Sequence, residues 1–452
     1  MQPTARMMFR CHALVGLILP VATVFAAPAP SSPPSPAITA YVGATLIDGT
    51  ARPPIADSVM VVQGDRITAL GDRSDTKVPD GARRVSLKGR YVIPGLINTH
   101  VHLASPPLPD VAKAYLQREL YSGVTTVRDM AGDARLLGEL QREALRDEIA
   151  SPDIYYSALV AGPKFFSDPR VAVSQQGLIP GTAPWMHAVD QKTDLRELIA
   201  EAKGAGATGI KVYGDLPSNL IRAVTAEAHR HGMKVWAHAF VPPTLPSEVA
   251  NSGVDSMSHA DLVAYELTDP VPQRFKDLSV IDPDPSAAQS NSKIDRVLEL
   301  MARNHIVLDA TVNNGYLYAA KKYPAGVGVA TTIAGEAFRH GVLLCTGTDD
   351  DPDFHAVDSQ LLDEIERLVR ESHLTALDVI RAATANGALV LGLGEQIGTL
   401  ARDKAANFVV LRRDPLADIR NLRSVEIVVK HGKPYPRSKY VPASPDLVPP
   451  DH

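Results

Sequence analysis

His100 and His102 stand one residue apart at the end of the run Tyr91-Val-Ile-Pro-Gly-Leu-Ile-Asn-Thr-His-Val-His-Leu103. The run is apolar and partly β-branched, so it reads as a buried strand. Side chains at i and i+2 of a strand leave the same face. The two imidazoles therefore emerge side by side and can grip one metal ion. A lone His-x-His carries little weight, but this one follows Pro94-Gly95 and has partners downstream. Lys211, His238, His259 and Asp349 come next in chain order, each at or beside the end of an apolar run. Any one of these histidines could end its strand in an ordinary hydrogen bond. Four of them at strand ends, with Gly347-Thr-Asp349 closing the last strand, argue together for a metal site.

The elements that must position these residues alternate. Between 93 and 392, strand candidates lie at 125–127, 154–156, 209–213, 234–238, 256–259, 306–309 and 342–346. Helical patterns such as 194–204, 220–231 and 293–304 fall between them. With the strand before His100 that makes eight strand–helix units, which predicts α/β architecture with a (β/α)8 TIM-type barrel over 93–392. In such a barrel functional groups emerge at the C-terminal strand ends, where the candidates stand. The competing reading is an open doubly wound sheet, but no glycine-rich phosphate fingerprint follows the first strand. Residues 38–92 and 393–440 are strand-rich and punctuated by turn dipeptides such as Asp48-Gly49 and Gly64-Asp65. They predict a small β-sandwich domain built from both termini, with 441–452 as a tail.

Composition bounds the remainder. Arg6 and Arg10, the apolar run 13–25 and the small-residue site at Ala26 read as a signal peptide over 1–26. A Pro/Ser-rich linker follows over 27–37. Cleavage after Ala26 leaves 426 residues and moves the formal charge from −5 to −7, because two arginines and no acidic residue depart. The expectation is a soluble exported protein, periplasmic or secreted, with no membrane association after cleavage. The charge is spread along the chain without a basic block, so nucleic acid is not an expected partner. Of two cysteines only Cys345 survives cleavage, so no internal disulfide is expected and stability must come from packing and metal.

The motifs taken together resemble the amidohydrolase superfamily, in its imidazolonepropionase-like and metal-dependent, prolidase-like dipeptidase branch. The resemblance spans nearly all of the mature chain. It rests on Pro94-Gly-Leu-Ile-Asn-Thr-His-Val-His102, Gly123-Val-Thr-Thr-Val-Arg-Asp129, Ile210-Lys-Val-Tyr213, Trp236-Ala-His-Ala239, Ser258-His259, Gly347-Thr-Asp349, Ala383-Thr-Ala-Asn386 and Gly398-Thr-Leu400. It implies that His100, His102 and Asp349 bind one divalent metal and His238 and His259 a second. A carbamate on Lys211 would bridge the two. A protonated lysine would be repelled by two dications, whereas a carbamate brings an anion. Imidazole and carboxylate ligands suit zinc, ahead of manganese or iron. The implied activity is hydrolysis of C–N amide bonds in dipeptides or N-acyl amino acids by metal-activated hydroxide, with Asp349 as the proton-transferring residue. The substrate is a small molecule, and a homo-oligomer is expected from the resemblance alone. The chain departs from the family at Asp403-Lys-Ala-Ala-Asn407, where Gly-Lys-x-Ala-Asp is usual, which concerns a turn in the small domain.

Other residues carry less. Lys211 could be an ordinary salt-bridge partner in a mononuclear enzyme. Tyr213, on the same strand face, could hydrogen-bond a tetrahedral intermediate or simply pack. His355, soon after Asp349, could touch substrate. Arg128 and Asp129 suggest an ion pair supporting the barrel. His187, His231, His305 and His373 are not expected ligands, and Asp350, Asp351 and Asp353 read as a solvated loop. Residues 162–190 form a long loop after the third strand, placed to cover the site, and 279–292 is a second polar insertion. The alternatives to amide hydrolysis are a mononuclear cyclic-amide hydrolase or deaminase, a lactone or carbamate hydrolase, and a non-catalytic binding protein on this scaffold.

Overall fold

The computed structural model describes residues 37–278, 285–322, 326–350 and 354–447. The expected signal peptide, all but Ala37 of the linker, the start of the polar insertion, Asp351, Asp353 and the end of the tail lie outside the described residues.

The chain begins with β1 (Ile38–Leu46), β2 (Ile55–Gln63), β3 (Arg66–Asp72), β4 (Arg83–Ser86) and β5 (Tyr91–Pro94). β1, β2 and β3 pair antiparallel in succession, with Gly64-Asp65 forming the β2–β3 turn as its dipeptide predicts. β4 and β5 run parallel to β1. The C-terminal strands β16 (Phe408–Leu411), β17 (Val425–Lys430) and β18 (Lys433–Pro436) continue the same mixed sheet, because β16 pairs antiparallel with β5. The β2–β3 tip returns to the start of β16, where the Ala406 amide donates to the Asp65 carbonyl at 2.7 Å. Tyr41, Met60, Val62, Ile67, Phe408 and Val429 bury one another in this sheet's own core. Both chain ends thus contribute strands to a single small β unit.

The barrel strands are β6 (Leu96–Val101), β7 (Val124–Asp129), β8 (Asp153–Ala161), β11 (Gly209–Val212), β12 (Lys234–His238), β13 (Ser256–Ser258), β14 (Val307–Asp309) and β15 (Leu344–Cys345). They pair parallel in that order. The ring is nearly closed: the Thr99 amide donates to Thr346 O, and the Asp349 amide to His100 O, each at 2.9 Å. A short hairpin, β9 (Thr182–Ala183) and β10 (Met186–Ala188), lies against the upper half of β8. Amphipathic helices cover the outside. In Ser292–Arg303 the buried residues Ile294, Val297, Leu298 and Met301 recur at helical spacing, and the Asn291 side chain caps the first turn. Asp194 caps Leu195–Gly204 in the same way.

One expectation needs correction. The run 91–103 is not a single strand but two, in different sheets. Tyr91–Pro94 belongs to the small unit, and the chain crosses at Gly95 into the barrel. A β-carbon at Gly95 would lie 2.1 Å from Thr125 Oγ1, so only glycine lets the backbone pass β7 there. Among the described residues no helix is long and apolar enough to cross a membrane.

Candidate metal centre

β6 is buried along its whole length, and its bulged pairing with β7 past Asn98 brings the histidines to the barrel mouth. His100 is buried, while His102 is partly open, with ring centroids 5.4 Å apart. Lys211 projects from β11 and is wholly buried. His238 ends β12. His259 follows β13 with a left-handed φ of +72°. Its centroid lies 4.8 Å from that of His238 and 4.9 Å from that of His100. Asp349 follows β15, also left-handed at +48°.

Asp349 ties the cluster together. Its Oδ1 lies 3.0 Å from His102 Nε2 and 3.4 Å from His100 Nε2, and its Oδ2 lies 3.6 Å from His259 Nδ1. Asn314 Nδ2 donates to Oδ2 at 3.0 Å. Ligand atoms of His100, His102 and Asp349 fall within 4.8 Å of one another, the spread one metal ion can span.

Two residues absent from the sequence expectations complete the arrangement. Asp309, the last residue of β14, accepts a 2.8 Å hydrogen bond from His100 Nδ1. That contact leaves Nε2 as the free lone-pair nitrogen facing Asp349, the way a carboxylate orients a metal-ligating imidazole. Asp309 Oδ2 also accepts from Arg128 Nη2 and Ser258 Oγ, each at 3.0 Å. Arg128 is fully buried, stacks over Trp236 and donates from Nε to Thr99 O. The ion pair expected at Arg128 is therefore made with Asp309 across the barrel, while Asp129 accepts from the Leu103 and Ala131 amides instead. The only sequence signal for Asp309 was its place at a strand end. Asn314, from the following helix, had none.

Gly347 is required where β15 meets β6. A β-carbon there would lie 2.5 Å from His100 Cβ and 2.7 Å from Asp309 Oδ1.

The electrostatics favour cation binding. Burial raises the Asp349 carboxyl, but His100, His259 and His102 outweigh it and hold the group well below the usual carboxylate range. Asp309 behaves alike through burial opposed by His100 and Arg128. Burial lowers His259 to about 3 despite Asp349, and burial with the Lys211 charge lowers His238 well below its ordinary value. His102 is the exception: burial lowers it, but Asp349 raises it overall to about 9. Burial, partly offset by Asp309 and Asp349, brings the Lys211 amine down to about 7. Among the described residues its Nζ has no hydrogen-bond partner. Anionic carboxylates, the neutral imidazoles of His238 and His259 and the orphaned amine are ligand-competent forms, and His102 would release its proton to an incoming cation, so the donor set fits divalent metal.

The remaining candidates separate. Tyr213 packs on His238 with centroids 4.1 Å apart. His355 is exposed. In the 162–190 loop Trp185 is a core residue, donating from Nε1 to Ser174 O.

A parallel (β/α)8 barrel with a His-x-His on its first strand, a buried lysine on the fourth, histidines ending the fifth and sixth and an aspartate after the eighth defines a metal-dependent hydrolase. The chain belongs to the amidohydrolase family, whose model matches residues 91–435. It is 24% identical over 407 residues to an imidazolonepropionase of Micrococcus luteus, covering 83% of this chain and 92% of that one. It is 24% identical over 405 residues to a 5-methylthioadenosine/S-adenosylhomocysteine deaminase of Symbiobacterium thermophilum, covering 82% and 84%. Among solved structures, a Xaa-Pro dipeptidase with bound methionine superposes with a TM-score of 0.68 at 20% identity, over 88% of this chain and all of that chain.

Proposed function

We propose that this protein hydrolyses a C–N amide bond of a dipeptide or N-acyl amino acid, using two divalent ions, zinc by the chemistry of the ligands. The observation that carries the reading is the Lys211 Nζ, buried without a hydrogen-bond partner among the histidines and aspartates. A binding module has no use for such an amine. A lysine drawn down to about 7 has a substantial share of free base near neutral pH. It could add CO2 and release one proton, and the resulting carbamate would bring a negative charge to the site. His100, His102 and Asp349 would hold one ion, and His238, His259 and carboxylated Lys211 the other.

Bound there, the ions supply a water acidic enough to attack near neutral pH and an electrophile for the carbonyl oxygen. Asp349 takes the proton from the attacking water and delivers it to the leaving nitrogen as the C–N bond breaks. Asn314 holds the Asp349 carboxylate in place from Oδ2. Asp309, anchored by Arg128, holds His100 in the tautomer that presents Nε2. Export belongs to the same proposal and rests on the expected signal peptide over 1–26.

A mononuclear enzyme acting on a cyclic amide or an amino group is the second reading. It draws on the tight grouping of His100, His102 and Asp349 alone. Metal content per chain, on protein purified without chelator and with bicarbonate supplied, separates the two. Two ions together with dipeptide hydrolysis support the proposal, and a firm single ion unaffected by Lys211→Ala supports the second reading. No bound metal, and no turnover after adding zinc or manganese, overturns both.

A further inference from the structure

The amide-hydrolase reading leaves one built feature beside the centre without a role. Tyr213 and Phe275 flank the His238 ring and Phe165 packs on both of them, although aromatic residues make up only 5% of the chain. Tyr213 lies 4.8 Å from Phe165 and 4.9 Å from Phe275, and Phe275 stacks on the His238 ring at 5.8 Å with an interplanar angle of 24°. Phe165 and Phe275 meet edge-on at 5.6 Å. The three rings come from three segments: the turn after β8, the end of β11 and the loop beyond β13.

Their convergence is held by specific backbone contacts. Asp215, left-handed at φ +56°, accepts the Phe275 amide on Oδ1 at 2.5 Å. Gly214 leaves room for Phe275, since a β-carbon there would lie 3.0 Å from Phe275 Cβ. The Gly162 amide donates to Gly214 O at 2.9 Å, tying the turn that carries Phe165 to the loop that carries Asp215. Phe165 is buried, whereas Tyr213 and Phe275 are half-buried. Such a cluster rewards a flat apolar group laid against it at ring-stacking distance.

We propose that Phe165, Tyr213 and Phe275 form the subsite for an aromatic side chain on the residue flanking the scissile amide, which makes aromatic dipeptides or N-acyl aromatic amino acids the substrate class. This rests on the amide-hydrolase reading for its catalytic half only. Phe275 sets specificity, and Asp215 positions it.

The test compares phenylalanine with alanine in matched pairs, on the metal-loaded protein. Hydrolysis is measured for Ala-Phe and Phe-Ala against Ala-Ala, and for N-acetylphenylalanine against N-acetylalanine. Binding of N-acetylphenylalanine and N-acetylalanine is titrated calorimetrically alongside. The expected result is a preference for the phenylalanine member of about tenfold or more in kcat/KM and in affinity, since a ring stacked on rings contributes about that factor beyond area burial. Phe275→Ala should collapse the ratio to within about twofold, and Phe275→Tyr should restore it. The ratio is read rather than the absolute rate, so a variant that merely loses activity does not imitate the effect. Equal values for both members, or a ratio that survives Phe275→Ala, overturns the subsite even if every amide is hydrolysed. Selective, Phe275-dependent binding without turnover of any amide keeps the subsite and overturns the hydrolase reading.

Discussion

Arg128, Asp309 and His100 make a line of buried charge and hydrogen bonding that ends on an Nε2 facing Asp349. Arg128 is the only cation in contact with Asp309 among the described ion pairs that does not depend on imidazole protonation. Arg128→Met should therefore strand a buried carboxylate and cost about 3 to 5 kcal/mol of stability, read from urea denaturation. A loss below about 1 kcal/mol would mean that His100 with the Ser258 and Thr99 hydroxyls satisfies Asp309 unaided. Asp349→Asn tests a different role. The amide preserves shape and keeps one oxygen for the histidines, so the far-UV circular dichroism of the fold should be kept, although the lost charge facing His102 costs some stability. The rate of amide hydrolysis should fall about a hundred- to ten-thousand-fold, the contribution of a positioned proton-transfer group. Wild-type turnover in that variant would remove Asp349 from the chemistry.

At the scale of the element, strand ends aim the side chains and the turns after them set the angles. His259 and Asp349 both take left-handed backbone just past their strands, which a strand continuing straight would not allow. Glycines let adjacent segments close up. At Gly162 a β-carbon would lie 2.0 Å from the Asp215 carbonyl oxygen, a backbone atom that cannot swing aside. Gly162→Ala should part the two loops that carry Phe165 and Asp215, lowering stability by about 1 to 3 kcal/mol and the turnover rate with it. Gly204→Ala is the contrast: it ends the helix Leu195–Gly204 with nothing within 4 Å, so its melt should match the wild type or exceed it. Loss of stability in both variants alike would remove close approach as the explanation.

For the whole molecule, the barrel and the small sheet are joined by a polar contact at the start of β8. Asp153 there accepts from Lys430 Nζ at 3.1 Å and pairs with His431 Nε2 at 2.7 Å, both residues coming from the end of β17. Burial raises Asp153, but His431 and Lys430 outweigh it and hold the carboxyl low; the same bond holds His431 high. The signs differ. The Asp153 contribution is present above about pH 4 and lost as pH falls through its lowered value. The His431 contribution is complete below about pH 6.5 and lost as pH rises through its raised value. Urea midpoints at about pH 6 and about pH 9 should show a stability loss in the wild type that His431→Gln lacks. Equal losses in both proteins would sink the assignment.

How much of this was legible before folding depends on range. The order of strand ends, the His-x-His pair, the buried lysine and the assembly of strands from both termini follow from local periodicity and residue type, because a strand's faces and a helix's stripe are set within a few residues. The division of 91–103 between two sheets was not legible, since it follows from the clash a side chain at Gly95 would make with Thr125 on the neighbouring strand. Asp309 was visible as a strand end but not as the partner of His100 and Arg128, which lie 209 and 181 residues away. Phe165 and Phe275 stood in two loops with nothing local to link them. The sequence by itself determined which chemical groups the strands would carry to the barrel mouth and in what order. Only the tertiary structure decided which of those groups touch, because contacts across the barrel depend on ring closure and loop path, which no local pattern encodes.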